Sequence, residues 1–172
     1  HLYKQGFVTN QQLGINGGTE NINYNISAGY FNETGVITGV GFERYSLNTS
    51  IDAVLTSYLK VGLTTRNTLN YNNGAGVNPL YATMRITPLA PAFNADGSML
   101  LYPQTGTVDE TATANPLTLN DRDNIVDRTR RLRTNNVLYA EVKIIEGLKY
   151  KLNLGLDFRQ EARGTFYGPR TI

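Results

Sequence analysis

The sequence predicts an all-β chain: an antiparallel segment of transmembrane β-barrel wall with about six strands and one long extracellular loop. Three observations predict it. Six stretches alternate apolar and polar residues, the connections between them alternate between short and long, and the composition suits strands and turns. The 172 residues include 17 Gly, 11 Tyr and 6 Phe, with 40% hydrophobic and 17% charged side chains. Aromatic and β-branched residues fit a pleated surface and glycine serves bends, so a helical protein is disfavoured.

Taken in order, the first two strands are expected near 7–15 and 20–31. Phe7, Leu13 and Ile15 precede Asn16-Gly17-Gly18, and Ile22, Tyr24, Ile26, Ala28 and Tyr30 follow it. Asn-Gly predicts a type I′ hairpin turn there, because both central residues need positive φ. The third strand, 41–55, sets Tyr45, Leu47, Thr49, Ile51, Ala53 and Leu55 against Arg44, Ser46, Asn48, Ser50 and Asp52. The fourth, 58–72, sets Leu59, Val61, Leu63 and Leu69 against Lys60, Thr64, Arg66 and Asn70. A last pair, 131–145 and 148–162, brackets Glu146-Gly147. Its apolar rows hold Leu138, Ala140 and Val142, then Leu152, Leu154, Leu156 and Phe158; its polar rows hold Arg133, Glu141, Lys149, Lys151, Asp157 and Arg159.

The tight turns, near 16–19, 56–58 and 146–147, fall on one edge of such a sheet, and the longer connections, 32–40 and 73–130, on the other. Outer-membrane barrels have this asymmetry, with short periplasmic turns and long extracellular loops. Charges alternating with aliphatic residues would be costly in a dry core but stay hydrated in a water-filled lumen. Leu47, Ile51, Leu63, Leu152, Leu154 and Leu156 are therefore expected to face lipid. Arg44, Asn48, Arg66, Asn70, Arg133, Glu141, Lys151 and Asp157 are expected to face the lumen. Tyr24, Tyr30, Tyr58, Tyr71 and Tyr150 near strand ends suit the headgroup level.

Other classes fall away. The 16 Lys and Arg against 14 Asp and Glu leave +2, too balanced for a nucleic-acid footprint. There is no Cys and the single His is at position 1, so a thiolate site or a His-based metal site or triad cannot be assembled. Asp109-Glu110 and the acidic residues from Asp121 to Asp127 read as solvated loop carboxylates, not a catalytic pair; no catalytic residue, metal or cofactor is expected. Gly39-Val40-Gly41 lacks the third glycine of a dinucleotide loop, and Asn94 to Gly97 reads as a tight turn. Arg128, Arg130, Arg131 and Arg133 are expected to balance Asp121, Asp123 and Asp127 or to line the lumen rim, with gripping of anionic groups as the competing reading. No apolar run is long enough for a membrane-spanning helix, and the mean hydropathy of −0.32 is what a barrel strand pattern produces. The opening HLYKQGF is not a signal peptide, so a leader is expected to have been cleaved or the chain to be internal to something longer.

The long segment carries Pro79, Pro88, Pro91, Pro103 and Pro116 with enough apolar residues to be ordered. Tyr81, Phe93 and Tyr102 are the candidates to stack on sugar rings, with Arg85, Asn94 and Asp96 supplying hydrogen bonds. The competing reading has them pack the loop onto the barrel mouth or a partner.

NYNISAGYFNETGVITGVGFERYSLNTSIDA (23–53), YLKVG (58–62), NPLYATM (78–84), EGLKYKLNLGLDF (146–158) and TFYGPRT (165–171) occur in an order that resembles consecutive barrel segments of the SusC-like (RagA-like) TonB-dependent outer-membrane transporters of Bacteroidetes. The resemblance covers nearly the whole chain. It implies a plugged barrel of the 22-stranded type, of which this chain holds about six strands and no plug domain. It further implies import of oligosaccharides or peptides across the bacterial outer membrane, powered by TonB through the plug, with a SusD-like surface lipoprotein over the long loops. The remaining barrel strands and outer-membrane lipid complete the expected partners. The alternative from another class is a soluble β-sandwich carbohydrate-binding module, in which two apolar faces pack together.

Overall fold

A computed structural model of the chain describes residues 3–74, 80–86, 89–103, 115–120 and 125–168. Six strands form one antiparallel sheet in sequence order: β1 (Phe7–Gly18), β2 (Ile22–Thr34), β3 (Gly41–Thr56), β4 (Leu59–Asn73), β5 (Ile125–Ile145) and β6 (Leu148–Tyr167). A short helix, α1 (Leu80–Arg85), and a 3-10 turn (Pro116–Asn120) lie within the β4–β5 connection.

Cross-strand pairs share a face, so the register sorts the side chains. One face carries continuous apolar rows across the sheet, such as Tyr24–Ile51–Leu63–Leu138–Leu154 and Ala28–Leu47. The other carries Asn25–Ser50–Thr64, Arg44–Asn70–Arg131–Glu161 and Lys60–Glu141–Lys151. A soluble sheet covers its apolar face. Here the reverse holds: on β3, Leu47 and Ile51 are exposed while Ser46, Asn48, Ser50 and Asp52 are half-buried. Among the described residues Ile125 is the only buried hydrophobic side chain. Among the described residues all six strands join one sheet, with no second layer for a β-sandwich.

The sheet's two ends differ as expected. Residues 19–21, 57–58 and 146–147 make the tight turns; 35–40 and the long β4–β5 connection lie at the opposite end. Three expectations are corrected. Asn16, Gly17 and Gly18 are the last residues of β1, not a type I′ turn, and neither glycine has positive φ. The turn is Thr19-Glu20-Asn21, where the Thr19 hydroxyl oxygen accepts bonds from the Asn21 and Ile22 amides (3.3 and 3.2 Å). β5 begins at Ile125, six residues before the expected 131, and β6 runs to Tyr167 instead of 162. Beyond Leu132 the apolar row gives way to Arg130 and Arg128, so no alternation marks the strand, yet the ladder continues to the Ile125–Tyr167 pair. At Glu146-Gly147 the turn does fall as read, with Gly147 at φ 85°. At about 3.3 Å per residue, the 21 residues of β5 run roughly 70 Å, far beyond a bilayer crossing.

Candidate functional site

The polar face is built by β3 to β6 as a ladder of complementary charges. Arg133 and Arg159 are directly opposite, a repulsive pairing, and Asp157 lies between them at 2.9 and 3.7 Å. Arg131 holds Glu161 at 2.8 Å, and Lys149 reaches Glu141 at 3.3 Å. These groups are largely open to solvent, so each pair contributes little to stability and the set forms a hydrated, charged surface.

One feature of this face needs a glycine. Tyr139 lies across Gly62 and donates to Asp52 Oδ1 at 2.5 Å, while Lys151 sits 4.5 Å from the Tyr139 ring centre. A Cβ on Gly62 would fall 2.1 Å from the ring. Side chains of β3, β5 and β6 are thus linked across β4, which has no side chain at the crossing point.

At the long-connection end, Asp127 closes the base of the loop. Its backbone oxygen accepts from the Gly74 amide at 2.7 Å, and its carboxylate takes both Arg163 Nε and Nη2 at 3.1 and 3.0 Å. Beside it, residues of the 35–40 turn and the starts of β3 and β5 line an open cleft of about 400 Å³, polar at Glu33, Thr38 and Asn73. Asp127 was expected to balance the neighbouring arginines of its own strand. It pairs with Arg163 because β6 runs directly alongside; Asp121, Asp123, Asp109 and Glu110 lie outside the described residues.

All eight residues expected toward the lumen, Arg44, Asn48, Arg66, Asn70, Arg133, Glu141, Lys151 and Asp157, share the polar face by register. The six expected toward lipid share the other, at 38 to 65% exposure. The loop candidates separate into two groups. Tyr81 and Arg85 are one turn apart on α1, where the guanidinium donates to the Tyr81 hydroxyl and stacks 5.1 Å from its ring centre. Phe93, Asn94 and Asp96 belong to a small hairpin in which Phe93 bridges Met99 and the Gly97 amide donates to the Asn94 carbonyl at 3.0 Å. The Asn94 amide and the Asp96 carboxylate both bond Ser98, and the Ser98 hydroxyl and backbone amide, donating to Asp96, hold its carboxyl below the ordinary carboxylate value. Their polar groups close the turn. Tyr81, Phe93 and Tyr102 leave exposed ring surface.

Asn115 organises this loop. Only 2% exposed, it donates to the Ala92 and Leu100 carbonyls at 2.9 and 2.8 Å and accepts from the Leu117 amide at 3.0 Å. Nothing in the sequence distinguishes it from the other asparagines, because its partners are 15 and 23 residues away.

On the apolar face, Tyr30, Tyr45 and Tyr71 form an aromatic row across β2, β3 and β4, with ring centres 5.1 and 6.5 Å apart. Tyr24 and Tyr150 share the face, whereas Tyr58 lies in the β3–β4 turn.

Comparison with known proteins agrees with this geometry. No model of a known protein family matches the chain. It is 27% identical over 99% of its length to TonB-dependent receptor P3 of Formosa agariphila, and 28% identical over 98% to receptor P39 of the same organism. Receptor P26 matches 53% of the chain at 32% identity. The chain spans only 17% and 16% of the first two relatives. Among solved structures, the RagAB peptide importer in its closed-closed state superimposes with a TM-score of 0.73 at 18% identity, covering 99% of this chain and 19% of that one. A second RagAB peptide transporter structure gives 0.71 over 95% and 19%. The chain is a homologue of TonB-dependent receptors, which are outer-membrane proteins, and its sheet is a stretch of outer-membrane β-barrel wall. The named relatives are receptors and importers, not enzymes.

Proposed function

We propose that this chain forms about a quarter of the wall of an active importer that takes large nutrients, oligosaccharides or peptides, across the outer membrane. Its apolar face meets lipid and its charged face lines the aqueous passage. The observation that carries this reading is the inverted burial of the sheet: aliphatic rows exposed, charge ladder on the opposite face, and no apolar interior among the described residues. Strands beyond this segment close the barrel, a plug couples it to TonB, and a SusD-like surface lipoprotein covers the long connections. A peptide cargo is favoured by the RagAB likeness, and stacked sugar rings by the exposed rings of Tyr81, Phe93 and Tyr102. Tyr81, Phe93 and Tyr102 contact the cargo, and Arg85, Asn94 and Asp96 shape the loops that present them.

The test is uptake by cells carrying the complete barrel, given fluorescent oligopeptides and oligosaccharides in parallel. TonB-dependent uptake of one class, reduced at least several-fold by Tyr81→Ala with Phe93→Ala, is the expected result. Unchanged uptake in cells lacking TonB contradicts the proposal.

A further inference from the structure

We infer that Arg128 and Arg130 form a docking surface for the phosphate-bearing headgroup of an outer-leaflet lipid. The inference rests on the lipid-facing reading of the apolar face.

Across the registered strand residues of that face, these two are the only basic side chains. They sit where polarity changes. Leu132 ends the apolar row on β5; Arg130 and Arg128 are the next two outward positions, about 5 and about 10 Å higher for a strand tilted roughly 40°. That is headgroup depth on the long-connection side. Arg130 is registered with Tyr71 at the end of the aromatic row, and the Arg128 guanidinium lies 4.4 Å from the Tyr71 ring centre. Tyr71 thus holds one guanidinium at the boundary, with its face occupied and, among the described residues, no hydrogen bond on its fork.

On the other side, Arg130 and Arg128 face Ala162 and Gly164, so β6 offers a shallow, unobstructed bay; a Cβ on Gly164 would meet nothing within 4 Å. The contrast with the opposite face argues for an external anion. Arg131, Arg133 and Arg163 each have a carboxylate, but among the described residues none lies within 4 Å of Arg128 or Arg130. Glu43, the acid on the same face, is separated from them by Tyr71. Two guanidinium forks above an apolar band match an amphiphile with acyl chains below and phosphate above.

Native mass spectrometry of the complete barrel in detergent, with bis-phosphorylated lipid A added, reads the site. Lipid A is expected to stay bound, and Arg128→Gln with Arg130→Gln is expected to lower the bound fraction at least ten-fold. Ala162→Glu, which sets a carboxylate beside Arg130, should do the same without removing an arginine. Dephosphorylated lipid A should bind no better than the double variant does. Equal binding of the two lipids, binding by the double variant within two-fold of wild type, or displacement by millimolar inorganic phosphate alone each overturns the inference. A nitroxide at Leu154 separates the two readings: hydrocarbon surroundings there leave the lipid-facing assignment standing even when lipid A fails to bind.

Discussion

Placing an arginine at Leu154 should destabilise the barrel far more than placing one at either a neighbouring or a higher position. On β6 the apolar row runs from Leu148 through Tyr150, Leu152, Leu154 and Leu156 to Phe158. Ten steps of about 3.3 Å, inclined by roughly 40°, give a band about 25 Å tall, the height of a barrel's lipid-facing belt. Leu154 lies within about 3 Å of its middle, whereas Ala162, on the same face, lies roughly 10 Å above Phe158. Leu154→Arg should therefore cost about 2–4 kcal/mol and Ala162→Arg about 0–1 kcal/mol. Asn153→Arg, one residue away but on the polar face opposite Tyr139, should stay within about 0.5 kcal/mol. The first is a change of roughly 30-fold to several hundred-fold in the folding equilibrium. Guanidinium unfolding of the complete barrel in phosphocholine vesicles measures all three. Equal losses for Leu154→Arg and Asn153→Arg, or a larger loss for Ala162→Arg, would refute the reasoning.

Other consequences are local. Gly62→Val places a side chain where Tyr139 lies and should break the Tyr139–Asp52 bond, costing about 1.5–3 kcal/mol, with part recovered by adding Tyr139→Ala; the same unfolding assay reads both. Gly147→Val forces a β-branched residue to φ 85° and should cost about 1–2 kcal/mol, whereas Glu146→Val should cost less because Glu146, like every non-glycine among the described residues, does not have positive φ. Asn115→Ala strips the Ala92 and Leu100 carbonyls of a donor and should raise hydrogen exchange across 92–101 while leaving the β5 and β6 amides unchanged.

The faces were legible because charge and aliphatic residues alternate without interruption where one side must be apolar: Lys149, Lys151 and Asn153 against Tyr150, Leu152 and Leu154. Strand ends were not. From Arg131 to Asp127 both faces of β5 are polar, so Arg128 and Arg130 read as part of one basic cluster with Arg131 and Arg133, although the pleat sends them to opposite sides. Asn16-Gly17-Gly18 carries the local signature of a turn, but the ladder extends through it to the Gly18–Asn23 pair and Thr19 supplies the turn's side-chain bonds. Asp127 with Arg163, Asn115 with Ala92, and Tyr139 with Asp52 join residues 36, 23 and 87 positions apart. Strand register creates the first and the last and the folding of the β4–β5 connection the second, and periodicity within one strand encodes none of them.

The central claim, lipid on one face and water on the other, is tested most directly by a nitroxide scan from 149 to 158 on β6 of the complete barrel in bilayers. The segment has no native cysteine, so once any cysteines elsewhere in the barrel are replaced each introduced thiol takes one label. The account predicts a strict two-residue period: even positions relaxed by oxygen dissolved in hydrocarbon, odd positions by an aqueous nickel complex. Even positions that meet nickel, or a scan with no alternation, would contradict it.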